Sequence, residues 1–217
     1  MRSLVKSVYT DYRRYRATDE SWFETLFMCQ GFWASTGYRF ASYLRQRIRN
    51  RILRKVINAL IAFPLKALEI VTGISLPSSC EIGEGLYIGH FGPTIINGNV
   101  RIGRFCNLSQ GVTIGQGGRG DKKGTPVLGD RVYVGAHAIV IGKITIGDDA
   151  AIGAGAVVTK SVPARGVVVG NPARVISHDG SFDFIRYDGM GDDPARSLSL
   201  ETVKQESILD SQSPPST

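Results

Sequence analysis

The sequence predicts a mainly β protein in which a parallel β-helix follows a small α-helical N-terminal region. Three observations favour this fold. A small aliphatic residue followed by glycine recurs over 82–153, aliphatic residues repeat at intervals of six over 128–158, and residues 1–75 have a helical pattern instead. A period of six fits neither a helix nor an ordinary strand, whereas it is typical of a β-helix.

The repeat is strict in the second half of the predicted coil. The residues on it are Leu128, Val134, Val140, Ile146, Ile152 and Val158, and the same spacing in a shifted phase joins Ile96, Ile102, Leu108 and Ile114. Each repeat predicts a short strand and a tight turn, so three repeats close one triangular coil. We expect about five coils over 76–170, with the aliphatic residues stacked in the core and glycine at corners whose backbone conformation branched residues resist.

Two interruptions of the repeat predict loops. The first is a two-residue phase slip between Ile88 and Ile96, around the sequence HFGPT, and the second is a 14-residue gap between Ile114 and Leu128. Because loops on a rigid scaffold often carry binding and catalytic residues, we expect the functional site beside these two segments.

The N-terminal region, 1–75, is predicted to be helical. Apolar residues recur every four positions from Phe40 to Leu60, which predicts an amphipathic helix ending near Pro64. A shorter helix is predicted between Trp22 and Trp33.

The remaining bounds follow from where the repeats begin and stop. The β-helix domain is predicted over 76–176, and a tail over 177–217 is predicted to be largely disordered because it is acidic and then rich in serine and proline.

The net charge of +7 is concentrated in the helical region, since residues 1–75 hold 13 Lys/Arg against 5 Asp/Glu and the rest of the chain holds 13 against 14. Two interpretations of the basic helix at 39–55 stay open. We favour a trimer-packing helix with a solvated rim; the alternative is peripheral contact with an anionic membrane surface, at the inner membrane face. No nucleic-acid partner and no membrane-spanning segment are expected.

The three cysteines, Cys29, Cys80 and Cys106, have no paired spacing and predict reduced thiols. The first 16 residues lack the apolar core of a signal peptide. Both observations predict a cytoplasmic protein.

Two stretches of the repeat region, GHFGPTIINGNVRIGRFCNLSQGVTIGQGG and IGAGAVVTKSVPARGVVVGNPARVI, resemble the hexapeptide-repeat acyltransferases, and within them the serine acetyltransferase branch. The helical segment before the coil is similar as well, so the resemblance covers most of residues 10–176. It implies a left-handed parallel β-helix, a homotrimer, acetyl-CoA as co-substrate and active sites between neighbouring subunits. Pairing of trimers stays open.

The resemblance also implies site residues. His90 matches the catalytic histidine, whose neutral imidazole would take the proton of an acceptor hydroxyl. Gln110 matches a polar position one coil onward that helps to place the histidine or the acceptor. Gly117 and Gly118 match a glycine-rich segment near the thioester, where backbone amides would bind the developing oxyanion; a mobile surface loop is the alternative.

The same resemblance implies contacts along the CoA molecule. Ala136 and Ala154 match small residues against which the pantetheine arm lies. Thr159 and Lys160 match positions at the nucleotide end, where Lys pairs with phosphate, and Arg174 is a further phosphate candidate.

No metal site is expected. His137 and His178 are interpreted as structural. A zinc carbonic anhydrase, which shares this fold, needs closely spaced histidines, and those of this chain lie far apart in the sequence.

Two departures from the serine enzymes bear on the acceptor. Those enzymes carry Asp-His where this chain has Gly89-His90, and Arg-His-Pro where it has 124–126, Gly-Thr-Pro. A site without a local carboxylate and a paired cation is poorly suited to a zwitterion, whose charges need partners on desolvation.

We therefore expect an acetyl-CoA-dependent O-acetyltransferase acting on a sugar hydroxyl in surface-polysaccharide assembly. The alternative acceptor is L-serine in cysteine biosynthesis, with Lys122 or Lys123 binding its carboxylate. A hypothesis of another class is a non-catalytic hexapeptide scaffold.

Overall fold

A computed structural model describes residues 4–18, 20–48 and 50–212 of the chain. The N-terminal region consists of four helices: α1 (Leu4–Arg16), α2 (Trp22–Phe27), α3 (Gln30–Arg47) and α4 (Arg51–Thr72). α2 begins with a capping box, in which Ser21 and Glu24 each accept from the other's backbone amide. None of the helices in the described part of the chain has the length and apolar character needed to cross a bilayer.

The helix bounds differ from the expectation in three places. The helix predicted between Trp22 and Trp33 ends at Phe27 as α2, and residues 30–33 begin α3. The helix predicted from Phe40 to Pro64 is two helices, because the Asn50 side chain accepts from the amides of Ile52 and Leu53 (2.9 and 3.1 Å) and so begins α4. Pro64 lies inside α4 rather than at its end. It is tolerated there because it lies on the exposed face, where water can reach the carbonyl that it leaves unpaired.

Fifteen short strands follow in the described residues, and fourteen of them build the coil. They are β1 (Ile74–Ser75), β2 (Glu81–Ile82), β3 (Tyr87–Ile88), β4 (Thr94–Ile96), β5 (Arg101–Ile102), β6 (Asn107–Leu108), β7 (Thr113–Gly115), β8 (Val127–Leu128), β9 (Tyr133–Val134), β10 (Ile139–Ile141), β11 (Thr145–Ile146), β12 (Ala151–Ile152), β13 (Val157–Val158), β14 (Val167–Val169) and β15 (Arg174–Ser177).

The strands form three parallel sheets, one for each face of a triangular prism. Sheet A has the order β1-β4-β7-β10-β13, sheet B the order β2-β5-β8-β11, and sheet C the order β3-β6-β9-β12-β14, with β15 added antiparallel. The chain visits the sheets in rotation, which gives five coils and confirms the left-handed parallel β-helix. The aliphatic residues of the repeat stack in register: Ile88, Leu108, Val134, Ile152 and Val168 are successive partners on sheet C and all are buried.

The glycines of the repeat have two functions, of which one was predicted: Gly111 and Gly155, at the corner between sheets C and A, have the positive φ angles expected at corners. At the corner between sheets B and C the positive φ angles belong to Phe105, Arg131, Asp149 and Arg165, as well as Gly85. The glycines after the aliphatic residues of sheet B are needed for space instead. A Cβ at Gly83, Gly103, Gly129 or Gly147 would lie 2.1–2.5 Å from an atom of the next coil.

Two glycine substitutions separate close approach from backbone conformation. Gly103→Ala places its methyl group 2.3 Å from the Gly129 carbonyl oxygen, so we expect a loss of about 3 kcal/mol in the free energy of unfolding. Gly155→Ala meets no atom within 4 Å and has only its φ of 68° to accommodate, so we expect about 1 kcal/mol. Urea unfolding of both variants measures the difference, and equal losses would contradict this account.

The C-terminal segment is folded rather than largely disordered. After β15 the chain packs along sheet C and ends in α5 (Pro194–Gln212). Tyr187 stacks on Phe105 and Phe184 stacks on Tyr133, with ring centroids 4.1 and 4.6 Å apart, and Ile185 is fully buried. These apolar contacts offset the conformational entropy that is lost when the segment becomes ordered. The polar composition had suggested that this loss would keep the segment disordered. Residues 213–217 lie outside the described part of the chain.

Candidate functional site

One corner of the prism aligns four of the predicted site residues. His90, Gln110, Ala136 and Ala154 each lie two positions after the inward aliphatic residue of a sheet C strand, and these strands pair in register. Neighbouring strands are about 4.8 Å apart, so the four residues form one column along the corner between sheets C and A. We call this column the C–A corner.

His90 lies at the end of this column, at the start of the first loop. Its side chain is exposed, and within residues 4–18, 20–48 and 50–212 no hydrogen bond to the imidazole is found. The loop is the two-residue phase slip itself, because β4 begins at Thr94 and pairs in register with β7 (Ile95 with Thr113). The imidazole is therefore accessible from solvent.

A carboxylate missed by the sequence analysis lies on the far side of Tyr87 from Gly89, the residue before His90. A Cβ at Gly89 would be 3.5 Å from the Tyr87 hydroxyl, and that hydroxyl donates to Glu20 Oε1 (3.2 Å). Glu20 precedes α2, about 70 positions earlier in the chain, so no spacing pattern could reveal the proximity. This contact provides a carboxylate near Gly89 that the sequence did not indicate.

Two neighbours donate to the Glu20 carboxylate. Burial raises the pKa of the Tyr87 hydroxyl, which therefore stays protonated and donates. Burial and the Glu20 carboxylate raise the pKa of the Cys29 thiol to about 12, and its Sγ lies 2.8 Å from Glu20 Oε2. A carboxylate has about four acceptor positions, so Glu20 retains capacity for a cationic ligand.

The second interruption forms a closed hairpin at the next corner, between sheets A and B. Gly117 and Gly124 exchange two backbone hydrogen bonds of 3.0 Å, and a single 3₁₀ turn, Gly120–Lys122, lies between them. The Gly117 amide is therefore engaged. Of the two glycines, only Gly118 has a backbone amide for which the described residues contain no acceptor.

Thr159 and Lys160 follow β13 at this same A–B corner, and both are exposed. Lys143 follows β10 there, and its Cβ would lie 2.7 Å from a Cβ at Gly124. With Lys122 and Lys123 of the hairpin, the corner carries four exposed lysines. Lys143 was not predicted as a site residue, and the register between coils is the signal that identifies it.

Sheet A separates the two corners. Ile95 and Ile139 point outward from it and are 52% and 36% exposed. Sheet C, by contrast, is covered by the C-terminal segment. The predicted site residues thus divide between two corners that flank an uncovered, partly apolar sheet.

Known proteins share this arrangement of sequence and fold. Residues 125–160 match the family described as bacterial transferase hexapeptide (six repeats). The serine acetyltransferase of Synechococcus elongatus is 33% identical over 188 residues, which cover 86% of this chain and 74% of that protein. The chain belongs to the serine acetyltransferase family.

Solved structures of the family agree in fold. Soybean serine acetyltransferase, solved in complex with serine, is 31% identical, with a TM-score of 0.69 over 80% of this chain and 70% of that one. A Brucella abortus serine acetyltransferase, solved in complex with coenzyme A, has a TM-score of 0.71 at 24% identity over 81% and 68%, and shares the fold. The expectation of an acetyl-CoA-dependent acyltransferase is confirmed, which disfavours the scaffold hypothesis.

Two further residues that the sequence singled out, Arg174 and His137, are not among the four aligned residues of the C–A corner. Arg174 is exposed in β15, opposite Val169, at the end of the coil. His137, interpreted as structural, lies at the C–A corner next to Ala136, and its Nδ1 would be 2.2 Å from a Cβ at Gly111. It has a φ of 59° where the adjacent coils have Gly111 and Gly155.

The thiols are not suited to the chemistry of an acyltransferase nucleophile. Cys80 and Cys106 are buried, and burial raises the pKa of each to about 12. Thiols with such values are protonated at neutral pH and unreactive. The described residues also contain no group of three metal-ligating side chains.

Proposed function

We propose that this chain is an L-serine O-acetyltransferase that uses acetyl-CoA and His90 as general base. The observation that carries the choice of acceptor is the Glu20 carboxylate, which accepts from Tyr87 next to Gly89, the residue before His90. It offers the ammonium group of an amino acid the ionic partner that desolvation requires. Membership of the serine acetyltransferase family supports the same acceptor, and sugar acetylation, our expectation from the sequence, has less support.

The reaction requires one proton transfer in each direction. The neutral His90 imidazole takes the proton of the serine hydroxyl while the hydroxyl oxygen forms a bond to the thioester carbonyl carbon. The Gly118 amide is the candidate donor to the oxyanion. When the C–S bond breaks, the His90 imidazolium returns the proton to the CoA thiolate, which leaves the O-acetyl ester and free CoA.

We propose a homotrimer in which sheet A faces a neighbouring subunit. Its outward Ile95 and Ile139 would then be covered. The C–A corner of one subunit, with His90, Gln110, Ala136 and Ala154, would lie against the A–B corner of the next. Lysines at that corner, Lys160 and Lys143 among them, would pair with the CoA phosphates, and Lys122 or Lys123 with the serine carboxylate. Arg174 as a phosphate contact, a cytoplasmic location and the pairing of trimers stay predictions.

A substitution at Glu20 tests the acceptor. Glu20→Gln removes the charge and keeps the shape, so we expect the KM for L-serine to rise about 10- to 100-fold while the KM for acetyl-CoA is unchanged. Glu81→Gln, on the exposed face of sheet B, is the matched control and should leave both constants unchanged. An unaltered KM for L-serine in Glu20→Gln would contradict recognition of the ammonium group by Glu20.

A sugar hydroxyl is the second candidate acceptor, and the second loop is the observation that favours it. Thr125 donates to the Asn99 carbonyl (3.0 Å) and Pro126 is buried, so 124–126 presents no cation to a carboxylate. Release of CoA with sugars and none with L-serine would establish this candidate and overturn the first.

A further inference from the structure

α4 carries an apolar face that no other part of the described chain covers. Its large apolar side chains there are 51–82% exposed: Ile52, Leu53, Val56, Leu60, Phe63, Ile70 and Val71. At about 100° of rotation per residue, all of them fall within one sector of about 100°. We call this sector the α4 stripe.

The α4 stripe is not the face that holds the helix on the protein. That face contains Leu65 and Leu68, whose methyl groups would lie 3.6 and 2.5 Å from a Cβ at Gly37 of α3. α4 therefore has two apolar faces, one packed on α3 and one turned to solvent. Leaving Phe63 82% exposed and Leu60 71% exposed is unfavourable unless a partner covers them.

The charge around the stripe identifies the kind of partner. Residues 45–68 hold seven Lys/Arg and no Asp/Glu. Lys55 and Lys66 border the stripe on one side, and Arg51 lies next to them. The first acid, Glu69, forms an ion pair with Lys66 (2.8 Å). Two copies of this surface would repel each other, whereas an anionic lipid surface is complementary to it.

We propose that α4 lies in the plane of an anionic bilayer, with the α4 stripe among the acyl chains and the flanking cations at the headgroups. An in-plane helix with an apolar face and a basic flank is the form that peripheral membrane binding takes. The 22 residues of α4 span about 33 Å along the surface, and the β-helix then stands on the aqueous side.

Vesicle co-sedimentation of the full chain tests this inference. Vesicles of phosphatidylcholine with phosphatidylglycerol should pellet the protein at low ionic strength, and vesicles of phosphatidylcholine alone should pellet far less. The double variant Leu60→Ser/Phe63→Ser should lose about tenfold or more in vesicle partitioning. Leu198→Ser, on the exposed face of α5 and 67% exposed, is the matched control and should bind as the unaltered chain does.

Two results would overturn the inference. One is failure of the unaltered chain to pellet with anionic vesicles at low ionic strength, where electrostatic attraction is strongest. The other is a change of oligomeric state in Leu60→Ser/Phe63→Ser, measured by light scattering, with unchanged partitioning. That result would mean that a second copy of the chain covers the α4 stripe. Acetyl transfer is measured separately, so the outcome does not depend on the proposed function.

Discussion

His90→Ala should lower kcat for acetyl transfer by about 10²- to 10⁴-fold, the usual contribution of a positioned general base. The physical reason is that no other imidazole of the described residues lies at the His90 end of the C–A corner. The acceptor hydroxyl would therefore lack a base. The KM for acetyl-CoA should change little, because CoA is expected to lie along Ala136 and Ala154 of the C–A corner and not on His90. Release of CoA, followed with L-serine as acceptor, measures the effect.

The control for this prediction is His178→Ala. His178 is exposed like His90 but follows β15, away from the C–A corner, so its removal should leave kcat unchanged. Because both side chains are exposed, neither variant should lose stability. If His90→Ala turns over L-serine as fast as the unaltered chain, another group accepts the proton and the proposed mechanism is wrong.

Asp149→Ala should have the largest effect on stability, about 3–5 kcal/mol. Asp149 is fully buried and accepts from Arg131 Nε and Nη2 at 2.6 and 3.0 Å, while Ser199 of α5 donates to it at 2.9 Å. These bonds to Asp149 outweigh burial and raise the pKa of the Arg131 guanidinium. Removing the carboxylate would leave the buried Arg131 cation with only the more distant Asp193 carboxylate, 3.6 Å from Nη1.

Denaturant unfolding measures this loss, and two further variants interpret it. Glu81→Ala breaks the exposed ion pair with Arg101 and should cost less than about 1 kcal/mol. The double variant Arg131→Met/Asp149→Leu removes both buried charges and should recover most of the loss. A loss for Asp149→Ala no greater than for Glu81→Ala would show that the buried pair does not hold the C-terminal segment to the coil.

The coil was predictable because its period is global. Every sixth residue must enter a narrow core, so Leu128, Val134 and their successors mark strands even though each strand has only two or three residues. The reason why the repeat needs glycine at a given position was harder to predict. Gly103 needs close approach and Arg131 adopts positive φ, and a sequence pattern does not distinguish these two demands.

Local features of the N-terminal helices and of the C-terminal segment were harder to predict. Asn50 interrupts an apolar period that continues across it, and Pro64 is tolerated only because its side of α4 is exposed. The aromatic residues of the C-terminal segment, Phe184 and Tyr187, stack on partners that lie far away in the sequence. Composition alone favoured disorder there.

The C–A corner was predictable because family motifs follow the register of the coils. Its electrostatic surroundings were not, since Glu20 reaches the corner from the N-terminal helices through Tyr87. The sequence-based preference for a sugar depended on Gly89 and on 124–126, and the Glu20 contact bears only on the first of these departures. Lys143 was missed for a similar reason, because the hairpin contact that identifies it joins different coils.

The most direct test of the central claim follows the acetyl group itself. Acetyl-CoA carrying an isotopically labelled acetyl group is incubated with the protein and L-serine, and the products are analysed by mass spectrometry. The proposal predicts labelled O-acetyl-L-serine and an equal amount of free CoA, both dependent on His90. Labelled acetyl-CoA that remains intact with L-serine, in a preparation that binds CoA and acetylates a sugar, would contradict it.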